Sequence, residues 1–528
     1  MSDGVVHRGK ADSSQDSSSK DHNALEPTFS RDHDDTADHF LESLGYKPEL
    51  ARNRSTAQVA FMSFVLASIP YGLATTLAYP LAGGGPVDII WGWVLVSVII
   101  VCVAISLGEI TSVYPTAGGV YYQAFMLAPA KWRRIASWIC GWLYLVGNIT
   151  ITLAVNFGTT LFFIGCINIF TDASGNGVFD GEIYQRYLIF LAITLLTNAI
   201  SSLGNRWLPI LDTAAIFWTF GGVIAIVVTV LAIAKNGRHE ASWVFGHFET
   251  ASGWPNGWSF CVGLLHAGYA TSSTGMIISM CEEVKEPSTQ VPKAMVATIF
   301  INTFAGLLFL IPLVFVLPDM DLINADKYLQ PVPVIIKNAV GHEGGAFALC
   351  VPLMVLAILC GVGCVTASSR CVWAFARDGA IPGAKWWVKV NKSLDVPLNA
   401  MMLSMVVQIL LGLIYFGSAA AFNAFSGVGV ICLTAAYAVP IAISLFTGRK
   451  QVQQGKFYQG KFGMVCNVIS IAWTLLAIPL FCMPTTVPTP PDYINYAPAV
   501  FVAAALASGA WYWAWGHRNY AGPPVNDA

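Results

Sequence analysis

The chain has 528 residues, with 28 Lys+Arg against 30 Asp+Glu and a formal net charge of −2. Only 11% of residues are charged and 55% are hydrophobic, where an average soluble domain is roughly 25% charged. That excludes a soluble enzyme, a nucleic-acid binder with its concentrated basic patch, and a chain disordered throughout; what remains is an all-α polytopic membrane protein.

Residues 1–44 stand apart. The run Ser13-Ser14-Gln15-Asp16-Ser17-Ser18-Ser19 is low-complexity, and the segment holds ten Asp/Glu against four Lys/Arg. Its composition predicts a disordered cytosolic arm, either passive or regulated through phosphorylated Ser or ubiquitinated Lys10 and Lys20. No apolar stretch near Met1 suggests a cleavable signal. Residues 45–520 read as the membrane domain and 521–528 as a short cytosolic tail.

From residue 57 on, apolar runs of about 18–28 residues recur, each near the ~20 residues that a spanning helix needs. They predict twelve spans, near 57–80, 92–113, 135–165, 187–203, 208–234, 258–282, 295–317, 346–375, 397–416, 420–446, 463–483 and 496–515. Continuous rather than alternating apolarity excludes a closed barrel. With a cytosolic N-terminus, the inside segments carry 18 Lys/Arg and the outside segments 5. This bias predicts an even span count and two cytosolic termini. The sequons at Asn53, Asn148 and Asn391 then lie in cytosol or membrane and stay unglycosylated. The twelve cysteines are scattered singly, including Cys360 and Cys364 in one apolar run, and read as small packing residues.

Two spans are interrupted. The first contains Ser68-Ile69-Pro70-Tyr71-Gly72; Pro70 lacks an N–H and Gly72 permits non-helical geometry, so the helix is expected to kink or break there. The sixth contains Tyr269-Ala270-Thr271-Ser272-Ser273-Thr274-Gly275, whose hydroxyl run needs polar partners or serves as a packing face. The first and sixth spans occupy corresponding places in two five-helix halves, and paired interruptions of this kind point to a transporter site. Half-helix N-termini there suit a carboxylate and half-helix carbonyls an ammonium.

Further segments carry a family resemblance: Gly108-Glu109-Ile110-Thr111 through Tyr121-Tyr122, Glu282-Glu283-Val284-Lys285-Glu286-Pro287, Ser368-Ser369-Arg370 through Ile381-Pro382, and Leu44-Gly45-Tyr46-Lys47-Pro48. Over about residues 41–520 the chain resembles the amino acid–polyamine–organocation superfamily, in particular its fungal amino acid/choline permease branch, which includes GABA permeases. The resemblance implies a LeuT-type fold of two inverted five-helix repeats plus two helices. It implies uptake of an amino acid, GABA or a choline-like amine, typically driven by protons, with no cofactor. It places the break triplets on Pro70-Tyr71-Gly72 and Ser273-Thr274-Gly275, and an aromatic lid on Tyr269. Many relatives carry an acid where this chain has Gly275, a departure that argues against a multiply cationic substrate.

Other polar groups in the spans are candidates with alternatives. Tyr144 and Asn148, one turn apart, face the site or bond between helices. Glu109 belongs to an inner gate or is an interfacial acid. Asp212 carries a coupling proton or pairs with Arg206 or Arg370. His266 titrates near neutral pH or packs. A nutrient sensor that binds without transporting is the second reading, and a choline or polyamine permease the alternative within transport. No His-Glu-x-x-His, no Gly-x-Ser-x-Gly and no paired intramembrane Asp suggests an enzyme, and no phosphate loop suggests direct use of ATP.

Overall fold

A computed structural model describes residues 35–50, 52, 56–173, 176–324, 330–417, 421–489 and 494–524. The arm up to residue 34, with Ser13–Ser19, Lys10 and Lys20, lies outside the described residues, as do Asn53 and residues 525–528. Eleven described helices are long and apolar enough to cross a bilayer: Gln58–Thr76, Asp88–Val113, Arg133–Ile167, Ile183–Leu203, Asn205–Ile233, Pro287–Phe315, Glu343–Arg377, Leu398–Phe416, Ala424–Phe446, Gly460–Cys482 and Ala497–Asn519. The span expected over 258–282 is present but divided. It consists of helices Asn256–Gly263 and Leu265–Thr271 and a 3₁₀ helix, Ser272–Glu283. Counted in chain order with this one sixth, the spans number twelve. Phe217 and Leu475 turn more than 70% of their surface outward (73% and 72%), which suits hydrocarbon and would be costly in water.

The two halves match in detail. The third and eighth spans, in corresponding positions, are both 35 residues long, and they pack on each other. The first and sixth run antiparallel. At one end, Arg52, just before the first span, donates to the carbonyls of Val284 (2.8 Å) and Cys281 (3.3 Å) at the close of the sixth. At the other end, a Cβ on Gly83 would stand 2.8 Å from Cα of Gly263. We call these the near and far ends. Five spans per repeat, an odd number, necessarily invert the second repeat.

Residues 35–43, expected in the disordered arm, instead form a helix, Asp35–Ser43. Leu41 is buried on the membrane domain, and Asp38 takes a 2.7 Å ion pair from Arg52. One apolar anchor and one buried charge partner give this stretch what the acidic composition of the arm did not advertise.

Candidate functional site

The first span breaks at Ser68, where φ is 40° and ψ 51°, a left-handed conformation that non-glycine residues adopt only when their surroundings hold them there. The half-helix Ile69–Thr76 then begins with Pro70 in its first turn. This corrects the expected position. Proline disrupts a helix interior but is preorganised for a first turn, so the break lies before Pro70 rather than at Pro70–Gly72. The Gly72 amide is already spent, donating to the Ser68 carbonyl at 2.9 Å. The amide donors the break leaves to a ligand are therefore expected at Ile69 and Tyr71, not after Gly72.

The sixth span changes differently. From Ser272 its backbone tightens into twelve residues of 3₁₀ helix, where runs beyond 3–4 residues are uncommon and often mark a hinge. The hydroxyls drive this locally. Ser272 donates to the Tyr269 carbonyl, Thr274 to Thr271 and Ser279 to Met276, each three residues back. Carbonyls released by the change find long-range donors: Tyr437 OH bonds Ser272 O at 3.1 Å and Tyr144 OH bonds Gly275 O at 3.2 Å.

The two interruptions meet. Ser273 Oγ donates to Leu66 O at 3.1 Å, and Gly72 lies against Ala270. Between them is a small space of about 20 Å³, room for about one water. Tyr71, Gly72, Tyr269, Ser272 and Ser273 line it, with Leu66 and Ala67 just before the break at Ser68. Tyr71 is fixed from behind, its hydroxyl donating to Val155 O at 3.0 Å and bonding Thr159 Oγ1 at 2.9 Å.

Several expected residues sit elsewhere. Thr274 lines a second small space, with Tyr437 and Trp473, on the other side of the sixth span. Tyr144 and Asn148 lie behind the 3₁₀ segment rather than on the cavity, Asn148 donating to the Tyr144 carbonyl at 2.8 Å. Gly275 has no room for an acidic side chain, since a Cβ there would stand 2.5 Å from the Tyr437 ring. His266 is a packing residue, bonded to Leu73 O at 3.0 Å. Glu109 is buried, held by Arg449 (2.5 Å) and by the Gln459 amide (2.8 Å) from the loop between the tenth and eleventh spans. Asp212 is buried in the fifth span, which packs on the first, seventh and eighth. Arg370 is engaged by Glu283 and Asn205, and Arg206 by the Ser393 carbonyl.

The sequence reading missed Cys360, Cys364, Ile151 and Val155, which complete the cavity wall. Their signal was available: both pairs have i,i+4 spacing, which puts each on one face of its helix. Tyr437 carried no local signal.

At the near end the family motifs interlock. Arg377 clamps Glu282 with two bonds (2.8 and 3.1 Å), and the Ala117 amide donates to the same carboxylate at 3.0 Å. Arg370 Nε meets Glu283 at 2.8 Å. Tyr46 (3.0 Å) and Tyr121 (2.8 Å) both donate to Asp378, and the Arg377 guanidinium lies 4.0 Å from the Tyr46 ring centroid. Burial pushes the Asp378 carboxyl up to about 6, against the lowering pull of Arg377 and of the two tyrosine hydroxyls. The cluster joins the segment before the first span, the turn after the second, and the near ends of the sixth and eighth, and so fastens these segments together at that end.

Two antiparallel broken helices that meet at a small cavity, with ion pairs fastening their near end, fit a transporter of the inverted-repeat class. The chain belongs to the amino acid permease family, whose profile matches residues 55–505. It is 30% identical over 479 residues to "Polyamine transporter TPO5" of Saccharomyces cerevisiae, covering 90% of this chain and 77% of the relative. It is 30% identical to "Amino-acid permease BAT1" of Arabidopsis thaliana (92% and 96% covered) and 28% identical to "Choline transporter" of S. cerevisiae (88% and 81%). The fold is therefore the LeuT-type arrangement, and the protein is a multi-pass membrane permease.

Proposed function

We propose that this permease imports a small amine bearing at most one net positive charge, an amino acid or GABA, by proton symport. The observation that carries the substrate class is the cavity wall: its lining residues include no carboxylate and no cationic side chain. Substrate charges must then be met by backbone dipoles. The N-terminus of the half-helix at Ile69 suits a carboxylate, and carbonyls loosened at the sixth-span transition suit an ammonium. A polyamine, with several cations to satisfy, has no acid to meet it there. Choline is the rival within transport, since Tyr71 and Tyr269 offer aromatic faces to a quaternary ammonium.

Import and proton coupling rest on the family resemblance, with Asp212 as a candidate carrier. The near end is read as cytosolic from the charge bias, and the plasma membrane as the location, with the vacuolar membrane the alternative. Uptake of a labelled panel (neutral amino acids, GABA, choline, putrescine) into vesicles tests the reading. Amino acid or GABA accumulation that a protonophore collapses is the expected result. Accumulation that survives the protonophore but needs sodium rejects proton coupling, and uptake of putrescine alone rejects the substrate class. Saturable binding without uptake supports the sensor reading instead.

A further inference from the structure

Asp88 opens the second span on a single π-helical stretch, Asp88–Gly92, a local irregularity frequent at functional sites. It is 1% exposed, and neither carboxyl oxygen has a hydrogen-bond partner. The walls around it are glycine. A Cβ on Gly263 would stand 1.5 Å from Oδ2, one on Gly83 2.6 Å from Oδ2, and one on Gly92 2.6 Å from Oδ1. Any side chain at these positions would evict the carboxyl. The group therefore sits in the seam where three elements meet at the far end: helix Ala78–Gly83, which follows the first span, the start of the second, and helix Asn256–Gly263 of the sixth.

Among the described residues no ion pair reaches Asp88, and Arg238, just outside these segments, donates to the Leu231 carbonyl instead. Segments 78–92, 239–263 and 294–315, which supply the seam and the far part of the adjoining seventh span, contain no Lys or Arg. The titratable groups on these elements are Tyr79 on the first, Cys261 on the sixth, and His239, Glu240, His247 and Glu249 on the segment leading into it. His247 and Glu249 pair with each other at 3.3 Å, and Cys261 lies close enough to Asp88 to interact electrostatically. An isolated ionised carboxylate in such a place costs far more than a neutral one, and in practice such a group takes up a proton.

We propose that Asp88 is a proton-binding site of the transport cycle, protonated while the far-end seam is packed and ionised when the seam parts and admits water. The step is carboxylate plus proton to carboxylic acid and its reverse, with no other bond changed. Closing the far end captures one proton and opening it releases one, which ties the state of the seam to the pH on that side. Because that proton returns to the side it came from, the site sets when the far end closes and is not itself the carrier of the symported proton; this deepens the symport reading and rests on it for the link to transport, though not for the protonation itself.

Two measurements on the full-length purified protein separate these. First, infrared spectra of protein labelled with 4-¹³C-aspartate at neutral pH should show an isotope-shifted carboxylic-acid carbonyl band. One component of that band, read as the wild-type minus variant difference, should vanish in Asp88→Asn, or in the smaller Asp88→Ala should the amide disturb the fold; below, the band means this component. Absence of any such band in the wild type overturns the proposal without a variant, and its persistence in a folded variant does the same. Second, in liposomes with labelled GABA and alanine, Asp88→Asn should lose the response of uptake to acidification on the far side while exchange at equal pH persists. Asp212→Asn is run beside it. If the wild type responds to the gradient and Asp88→Asn responds equally, Asp88 is not in the cycle. If the wild type itself ignores the gradient, the symport reading fails, while the infrared result still decides whether Asp88 binds a proton.

Discussion

At the scale of single residues, Gly275 shows how a position can be legible without its reason being so. The sequence marks it as the place where relatives carry an acid. The reason is a ring from the tenth span: Tyr437 fills the space a Cβ would take, 2.5 Å away, and its hydroxyl holds Ser272 O. Gly275→Val is therefore expected to abolish uptake, and adding Tyr437→Ala should restore part of it by vacating that space. Uptake unchanged in the single variant would refute the packing argument. Gly72 is different, because a Cβ there meets Ala270 at an ordinary 3.5 Å. Gly72→Ala should fold normally, and only larger side chains should obstruct the cavity. Tyr269→Phe should keep substrate affinity, whereas Tyr269→Ala should weaken it by about 0.5–2 kcal/mol if an ammonium rests on the ring; competition binding distinguishes the two.

At the scale of elements, the paired interruptions in the first and sixth spans could be read from composition, because proline, glycine and a hydroxyl run are conspicuous in apolar helices. Their form could not. Pro70 starts a half-helix instead of ending one, and the hydroxyls of Ser272 and Thr274 tighten their helix instead of opening it. The second outcome also draws on Leu66 and Tyr437, partners of the sixth span that lie far from it in sequence. The near-end cluster was visible only as quoted motifs; their meeting as Arg377–Glu282 and Arg370–Glu283 needed the fold. Two predictions belong here. Arg370 is fully buried and Glu283 nearly so, so Glu283→Ala strands a charge and should destabilise the protein by about 3–5 kcal/mol; thermal unfolding in detergent should report it, and Glu283→Ala/Arg370→Met should recover much of the loss. The second concerns Asp378. Its carboxyl lies at about 6 when packed and near the ordinary carboxylate value when solvated. The packed state thus binds the proton more tightly between those values, so packing is favoured as pH falls through 6 and loses that support as pH rises through it. Thiol labelling of a reporter cysteine at buried Leu50, each rate divided by that of a free thiol at the same pH because only the thiolate reacts, should be slower at pH 5 than at pH 7, and slow at both in Asp378→Asn. Equal rates in the wild type would contradict this.

At the scale of the whole molecule, the question is which end faces the cytosol, and the divided sixth span decides how firmly the charge count answers. None of its three pieces is long enough to register as a span alone. If it failed to cross, every later loop would change sides, and Arg377, Lys385, Lys389 and Lys392 would leave the end that holds Lys131, Arg133 and Arg134. The structure ties it across. Its start meets Gly83 at the far end, and its close is held by Arg52, Arg377 and Arg370 at the near end. With twelve crossings, 17 described basic residues of the inside segments gather at the near end, against 4 at the far end, and the positive-inside bias is the ground on which we propose a cytosolic near end. A protease site and tag fused after Ala528 should accordingly resist protease added outside right-side-out vesicles and be cut once the membrane is permeabilised. A reporter cysteine at Glu249, beside the far-end seam, should be labelled from outside in the same preparation. Cleavage of the tag in intact vesicles, or protection of residue 249, would reverse the orientation and with it the side on which the Asp88 seam meets protons.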